Sequence, residues 1–383
     1  MIDQGFASKE ALEALQVQLK EDMEAAAKEG ESVPFPSKES SLSHVYKEHT
    51  FSKRTEEKNF PVMMDGLNEA LMEEMEKDPF VVVFGQDVAR EKGGVFGITR
   101  HLTKKFGPHR CFNTPLAEAN IVGVAIGLSF DKYKPVAEIQ FSDYAWPAMN
   151  QIVNELSSLH YRSHGEWNCP VVLRMTTGGY IQGGPYHSQS IEAVFCHVPG
   201  LKVVIPSHPN DAKRLLQMAI EDPNPVIFLE HKALYRQPIA YPYPKGFLPI
   251  GRAAIIREGK DVSVIGYGWM IPMIVEVGEL LRQEGIGIEI IDLRSLSPLD
   301  METIIGSVKK TGKVLIVHEA PKTCGFGAEL MARIVEEGFC YLDAPIRRLT
   351  GKDCPVPYCK DLEDVVLPQK KDIFDSIKEL YSF

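Results

Sequence analysis

The chain has 383 residues, a hydrophobic content of 44% and a formal net charge of −10 at pH 7. This length accommodates two domains and an appendage, and an acidic balance spread along the chain argues against a nucleic-acid partner. No run approaches about 18 apolar residues, and the first residues lack the basic flank and apolar core of a signal peptide, so we expect no membrane role and a cytoplasmic location, or an organellar one after processing.

Residues 1–58 differ in character from the rest of the chain. Ser8 is a candidate helix cap, and a Ser/Pro-rich stretch over 33–42 breaks any regular structure. Between them, apolar residues at helical spacing form one stripe: Leu12, Leu15, Leu19 and Met23. The pattern predicts a helical arm followed by a linker.

Residues 59–240 alternate between helical and strand patterns. The predicted helices are 65–75, 119–128, 143–160 and 209–220, and the predicted strands are 80–84, 136–141, 171–176 and 226–230. This alternation is typical of a parallel α/β domain.

A second α/β series occupies residues 241–383, after a proline-rich connector over 241–246. The predicted strands are 261–266, 287–292 and 314–318, and the predicted helices are 271–284 and 328–336. The sequence therefore predicts two α/β domains in succession, joined near residue 245.

Glu118 occupies an unusual place for an acid. Pro115 ends the preceding segment, and an almost uncharged helical pattern follows over 120–128, with Gly123 and Gly127 one turn apart to allow close packing. Glu118 is thus predicted to begin a buried helix. One interpretation is a first-turn glutamate that interacts with the helix dipole, and the other is a carboxylate tuned by burial for acid–base chemistry.

Three segments carry a resemblance to a known family: TPLAEANIVGVAIGLS from residue 114, AEIQFSDYAWPAMNQIVNE from residue 137 and PYHSQSIEA from residue 185. They resemble the beta subunits of thiamin-diphosphate-dependent 2-oxo acid dehydrogenases, first the branched-chain enzyme and next pyruvate dehydrogenase. The resemblance runs from about residue 59 to the C-terminus. It implies a pyrimidine-binding, transketolase-like parallel-sheet domain over 59–240 and a transketolase C-terminal-type α/β domain over 241–383.

The resemblance also implies roles around the cofactor. Glu118 takes the position of the family glutamate that contacts a ring nitrogen of the aminopyrimidine of thiamin diphosphate, where a carboxyl group can move a proton. Tyr144 takes the position of an aromatic residue that packs against the pyrimidine, and Gln140 is expected nearby as a polar contact. Without the resemblance, a half-buried core aromatic would be the preferred interpretation of Tyr144.

His187 follows a glycine-rich loop instead of lying on a helix face. Loop histidines on α/β scaffolds are often functional, although a single histidine proves little. The resemblance implies an active-site histidine that orients the substrate carboxylate and assists acyl transfer to lipoamide.

The segment from residue 219 to residue 225 resembles the loop that binds a structural potassium ion in the family. The implied ligands are Val171, Ala219, Ile220, Asp222 and Asn224, and such oxygen donors suit a hard cation. An Asx turn that ends a helix is the alternative, and Pro223 departs from the family pattern.

No G-D-G segment occurs in the chain. In the family, such a segment on the alpha subunit holds Mg²⁺ and the diphosphate, so the resemblance implies an alpha subunit or alpha half as partner in an alpha-two beta-two assembly. It also implies docking to a dihydrolipoyl acyltransferase core. Residues 1–50 resemble the tail of the alpha subunit, which indicates either a fused alpha–beta polypeptide or an ordinary N-terminal extension.

Three functions follow as hypotheses. The first is a beta subunit that acts on branched-chain 2-oxo acids, with pyruvate as the alternative substrate. The second is a non-catalytic assembly subunit in which Glu118 and His187 are structural. The third is a self-contained transketolase-like enzyme, against which the missing diphosphate segment argues.

Overall fold

The computed structural model describes residue 2 and residues 4–53, 59–90, 92–244 and 246–383. The chain divides into two compact units, Met1–Ser43 and His44–Phe383. The first unit contains helix α1, Lys9–Ser32, in which no residue is buried. The predicted cap is confirmed, since the Ser8 hydroxyl oxygen accepts a hydrogen bond from the Ala11 N–H at 3.1 Å. The apolar stripe on α1 is largely exposed to solvent.

The second unit contains the remaining helices and all the strands of the described residues. Its helices are α2 (Met63–Lys77), α3 (Leu102–Phe106), α4 (Glu118–Ser129), α5 (Leu159–Arg162), α6 (Glu192–Cys196), α7 (Pro209–Glu221), α8 (Met270–Gln283), α9 (Met301–Thr311), α10 (Phe326–Gly338), α11 (Lys360–Val366) and α12 (Lys370–Tyr381). Its strands are β1 (Val81–Gly85), β2 (Cys111–Asn113), β3 (Lys134–Ile139), β4 (Val172–Thr177), β5 (Lys202–Val204), β6 (Val226–His231), β7 (Ala254–Arg257), β8 (Val262–Gly266), β9 (Ile288–Asp292), β10 (Ser295–Ser297), β11 (Val314–Pro321) and β12 (Arg347–Gly351).

A seven-stranded sheet has the order β10-β5-β6-β4-β3-β1-β2. All its pairs are parallel except β10 with β5, which is an antiparallel edge. Strands β1, β4 and β6 are buried along their whole length, as expected where helices cover both faces of a parallel sheet. The carboxyl ends of these parallel strands lie along one edge, where such sheets place their ligands.

A five-stranded sheet has the order β12-β11-β8-β9-β7, with only β7 antiparallel. The predicted strands of the second series are confirmed as β8, β9 and β11, and the predicted helices as α8 and α10. The α/β fold class is therefore confirmed for both series, with the exception that β10 of the second series pairs with β5 at the edge of the first sheet.

The segment predicted as one helix over 143–160 is helical in part but irregular, and its first residues form no regular helix. That segment forms two 3-10 turns, Ser142–Tyr144 and Trp146–Ala148, then a π-helical turn, Gln151–Leu156, and only then α5. Pro147 lacks an N–H group and so removes one helical hydrogen bond. The Asp143 side chain also accepts hydrogen bonds from a distant loop, which favours a turn over a regular helix at this point.

Helix α4 is only partly buried, whereas its composition predicts a buried helix. Ile121, Val122 and Ala125 are buried, but Gly123 and Gly127 are exposed. A Cβ atom added at either glycine would meet no atom within 4 Å. One face of this almost uncharged helix is therefore uncovered in the single chain.

A helix that spans a membrane must be both long and apolar. Within the described residues, no helix combines the length and the apolar character that crossing a bilayer requires.

Candidate active site

Glu118 begins α4 and faces Gln86, the residue that follows β1. The Gln86 side-chain N–H donates to Oε1 of Glu118 at 2.6 Å. The chain turns toward this contact at Gly85, where φ is 146° and a Cβ atom would lie 2.2 Å from the main-chain oxygen of Glu138. Only glycine tolerates this conformation and this close approach.

Gln86 also holds the end of β3. Its side-chain oxygen accepts the main-chain N–H of Gln140 at 3.1 Å, so one amide group connects Glu118 to Gln140. Sequence reasoning did not select Gln86. Its place at the carboxyl end of a parallel strand was the available signal.

Tyr144 and His187 are brought together although 43 residues separate them. The Tyr144 hydroxyl oxygen lies 2.8 Å from Nε2 of His187, and Nδ1 of His187 lies 3.2 Å from the main-chain oxygen of Gly183. A carbonyl oxygen only accepts, so Nδ1 carries the proton and Nε2 of the neutral ring accepts the Tyr144 O–H. Burial, followed by the charges of Asp143 and Glu118, raises the pKa of Tyr144.

The loop that carries His187 is fixed to the turn that carries Tyr144. Oδ1 of Asp143 accepts the main-chain N–H groups of Ser188 at 3.1 Å and Gln189 at 3.0 Å. The ring of Phe141 meets the His187 ring edge-on, with centroids 4.7 Å apart. The predicted residues Glu118, Gln140, Tyr144 and His187 thus lie along the same edge of the seven-stranded sheet. Asp143 is a further supporting residue that sequence reasoning missed.

Comparison with known proteins identifies both sheets. Residues 61–238 match the family described as Transketolase, pyrimidine binding domain, and residues 251–373 match Transketolase, C-terminal domain. The 2-oxoisovalerate dehydrogenase subunit beta of Bacillus subtilis (strain 168) is 45% identical over 84% of this chain and 98% of its own length. The chain belongs to the family of 2-oxo acid dehydrogenase beta subunits.

Other members and a solved structure agree with this assignment. The pyruvate dehydrogenase E1 component subunit beta of Acholeplasma laidlawii is 43% identical over 83% of this chain and 97% of its own length. A structure described as a split gene transketolase, an inactive beta4 tetramer, superposes with a TM-score of 0.68 over 84% of this chain and 98% of that chain. At 24% identity, that structure supports the fold alone.

In this member of the family, a buried ionic cluster lies within the same sheet. Arg174 on β4 donates to Glu138 on β3 at 2.7 Å and to both oxygens of Glu230 on β6 at 2.7 and 2.8 Å. The Tyr235 hydroxyl donates to Glu230 at 2.6 Å. Burial is the main cause that raises the pKa of Glu138 to about 7. The charge of Glu230 adds to this rise, and the Arg174 guanidinium opposes it. The strand patterns gave no indication of this cluster.

The side chains proposed for potassium are engaged within the chain. The Lys202 ammonium donates to Oδ2 of Asp222 at 2.5 Å. The Asn224 side chain accepts the Lys47 N–H at 2.7 Å and donates to the Lys47 carbonyl at 2.8 Å.

The remaining ligands proposed for potassium are main-chain carbonyl oxygens. The carbonyl of Val171 accepts the N–H of Val226 at 2.9 Å, and Ala219 and Ile220 lie in the last turn of α7. In the part of the chain that the structure describes, no group of three or more His, Cys, Asp or Glu residues is placed to hold a metal ion.

Proposed function

We propose that this chain is the beta subunit, or the beta part of a fused polypeptide, of an enzyme that decarboxylates a branched-chain 2-oxo acid and transfers the acyl group to a lipoyl group. The observation that carries the proposal is the His187–Tyr144 pair, with an oxygen–nitrogen distance of 2.8 Å. It lies at the same sheet edge as the Glu118–Gln86 pair, in a chain 45% identical to a 2-oxoisovalerate dehydrogenase subunit beta.

The cofactor is thiamin diphosphate, which supplies a carbon nucleophile and an electron sink for decarboxylation when it is bound. The described residues fit its aminopyrimidine. One oxygen of Glu118 accepts the Gln86 amide, and the contacts of the described residues give its second oxygen no hydrogen bond, so that oxygen can face a ring nitrogen. Tyr144 offers an aromatic ring and Gln140 a polar side chain at the same edge.

Each of these residues has a separate task. Glu118 holds or moves a proton at a ring nitrogen, because a carboxyl group can both donate and accept there. Gln86 keeps the Glu118 carboxylate in one orientation. Tyr144 packs against the pyrimidine.

His187 serves the substrate. We assign it the orientation of the substrate carboxylate and assistance in acyl transfer to the lipoyl group. The Nε2 atom of His187 accepts the Tyr144 hydroxyl when the ring is neutral, and both ring nitrogens donate when the ring is protonated.

The alpha subunit, or an alpha half, is the proposed partner in an alpha-two beta-two assembly. Relatives that match nearly their whole length are described as beta subunits, and the glycine-bearing face of α4 lies uncovered. We propose that the partner holds Mg²⁺ and the diphosphate, and that a dihydrolipoyl acyltransferase core binds the assembly. The division at residues 58, 240 and 241 and the cytoplasmic location remain proposals from the sequence.

Potassium binding by Val171, Ala219, Ile220, Asp222 and Asn224 is a separate proposal. The oxygen donors favour it, while the Lys202 ammonium already neutralises Asp222. The melting temperature in KCl, compared with NaCl at equal ionic strength, tests it: a higher value in KCl supports a bound ion, and equal values contradict one.

The function is tested by 2-oxo acid decarboxylation with an artificial electron acceptor, thiamin diphosphate and Mg²⁺. The chain is assayed alone and with its alpha partner, and the substrates are 3-methyl-2-oxobutanoate and pyruvate. Glu118→Gln is the active-site variant, and Glu336→Gln, on the exposed face of α10, is the control.

We expect activity only with the alpha partner, abolished by Glu118→Gln, unchanged by Glu336→Gln and higher with the branched-chain substrate. Higher activity with pyruvate would assign the alternative substrate. Activity of the chain alone would overturn the subunit assignment, and no activity in any mixture would favour an assembly role.

A further inference from the structure

Glu319 is a buried carboxylate on β11, in the sheet that does not carry His187. It nevertheless contacts both ends of the His187 loop, which we define as residues 179–190. Oε1 accepts the main-chain N–H of Gly179 at 3.1 Å and the hydroxyl of Ser190 at 2.6 Å. A single carboxylate oxygen therefore joins the first and last residues of that loop.

The second oxygen of Glu319 lies 2.8 Å from Nε2 of His231, at the end of β6. Nδ1 of His231 accepts the main-chain N–H of Ala233 at 3.2 Å, so Nε2 carries the proton and donates to Glu319. All three partners of Glu319 are donors. The site thus requires an acceptor on both oxygens, which a carboxylate provides and an amide does not.

The middle of the His187 loop is held by the same C-terminal part of the chain. Both oxygens of Glu363 lie 3.3 Å from the main-chain nitrogen of Gln182. The Tyr180 hydroxyl donates to the carbonyl of Pro368 at 2.8 Å. A Cβ atom at Gly179 would lie 2.6 Å from the Leu367 side chain, so the loop packs closely against this segment.

Lys232 adds a buried positive charge behind the loop. Its Nζ atom is buried and has no hydrogen-bond partner in the described part of the chain. It lies 5.5 Å from the centroid of the Phe141 ring, and the same ring contacts the His187 ring edge-on. Burial lowers the pKa of Lys232 to about 8, against the opposing charges of Asp143 and Glu319.

The charges around Glu319 favour its ionised form. Burial acts to raise the pKa of Glu319, but His231, the Ser190 hydroxyl and the charge of Lys232 together hold it below its ordinary value. A buried carboxylate with donors on both oxygens is strongly tied to them, since hydrogen bonds to charged groups are stronger than neutral ones.

We propose that Glu319 is a positioning residue, which fixes both ends of the His187 loop to the C-terminal sheet and so sets the position of His187 for acyl transfer. The role assigned to His187 rests on the proposed function. The attachment of the loop to the C-terminal sheet does not depend on the proposed function.

Glu319→Gln is the test variant, because its amide N–H₂ group would face a donor. Glu336→Gln makes the same chemical change at an exposed site and is the control. Ser190→Ala is a milder variant that removes one donor and leaves the carboxylate in place. If Glu319→Gln fails to fold, Ser190→Ala still tests whether Glu319 holds the loop.

Two measurements are made on the full chain. Amide hydrogen exchange of residues 179–190 reports loop attachment without any assay of activity. With the alpha partner, kcat for acylation of a lipoyl domain and the half-saturating concentration of thiamin diphosphate report function.

We expect Glu319→Gln to raise amide exchange in the His187 loop and to lower kcat by about 10- to 100-fold. This is the effect expected from the loss of one hydrogen bond to a charged group. Half-saturation by the cofactor should change by less than about 2-fold, because Glu319 contacts neither Glu118 nor Gln86.

Several results would overturn the proposal. Unchanged exchange in both variants would mean that Glu319 does not hold the loop. Raised exchange with unchanged kcat would mean that loop position does not govern acyl transfer. An equal fall in kcat for Glu336→Gln would mean that the effect is not specific. If the parental protein were inactive with every 2-oxo acid, the proposed function would fail, and exchange in the same protein would still decide the attachment.

Discussion

The Tyr144 hydroxyl oxygen lies 2.8 Å from Nε2 of His187 and joins the turn after β3 to the loop after β4. Because Nδ1 of His187 donates to the carbonyl of Gly183, Nε2 of the neutral ring accepts a hydrogen bond from the Tyr144 hydroxyl. The Gly183 carbonyl therefore selects the ring tautomer, and the Tyr144 hydroxyl helps to fix the ring orientation. Such support prepares a histidine for proton transfer.

Tyr144→Phe keeps the aromatic ring and removes this hydrogen bond. We expect kcat of the enzyme assembled with its partner to fall by about 10-fold or more, as the loss of one hydrogen bond to a reacting group predicts, with little change in thiamin diphosphate binding. Steady-state kinetics with varied 2-oxo acid measure kcat, and the same assay with varied thiamin diphosphate measures cofactor binding. Tyr186→Phe, in the loop that carries His187, makes the same chemical change and is the control, since Tyr186 is 73% exposed. Equal effects of the two substitutions would refute a specific role for the Tyr144 hydroxyl.

Gln86→Met preserves the length of the side chain but leaves Glu118 and the Gln140 N–H without their shared partner. Since an unpaired buried polar group costs about 1–3 kcal/mol, we expect the half-saturating concentration of thiamin diphosphate to rise by about 10-fold or more. This concentration is measured by titrating thiamin diphosphate into the chain assembled with its alpha partner and following the activity. Gln283→Met, at an exposed position of α8, should have no effect, and an unchanged cofactor titration for Gln86→Met would show that Glu118 needs no such support.

The sequence predicts the local part of this architecture and misses the contacts between distant segments. Apolar periodicity located α2, α7 and α8 and the central strands, because burial of one helix face or of a whole strand leaves a repeating pattern. The turns over 142–148 were missed although Pro147 gave a local signal against a regular helix. The hydrogen bonds that the Asp143 side chain accepts from a remote loop give no such local signal. Gln86 bonds a residue 32 positions away, and Glu319 bonds His231 88 positions away. Periodicity carries no signal for such pairs.

Glu192 lies at the start of α6 and is almost fully buried, and the Tyr267 hydroxyl donates to it at 2.7 Å. Burial is the largest cause of a pKa raised from 4.5 to about 7 in the folded chain. Between these two values the folded state binds a proton that the unfolded state has released. The stability contributed by this carboxyl is therefore complete below about pH 4.5 and is lost as the pH rises through about 7.

Glu192→Gln removes this titration while keeping the shape of the side chain. We expect the variant to match the parent near pH 4.5 and to be more stable at pH 8.5 by about 1–3 kcal/mol. Melting temperatures at the two pH values measure the difference, and Glu336→Gln should track the parent at both. If the difference in melting temperature between Glu192→Gln and the parent does not grow from pH 4.5 to pH 8.5, Glu192 is ionised at both pH values.

Gly127→Leu tests whether the uncovered face of α4 binds the partner. A Cβ atom at Gly127 meets nothing within 4 Å in the single chain, and the same holds for Gly306 on α9, so Gly306→Leu is a matched control. Both substitutions should leave the melting temperature of the isolated chain unchanged or slightly higher, because leucine favours helix by about 0.8 kcal/mol over glycine.

Only Gly127→Leu should weaken binding of the alpha partner, by about 10- to 100-fold, since a side chain forced into a closely packed interface costs about 1–3 kcal/mol. Titration by calorimetry or co-purification with the partner measures the affinity. Equal affinities for the two variants would place the partner on another face.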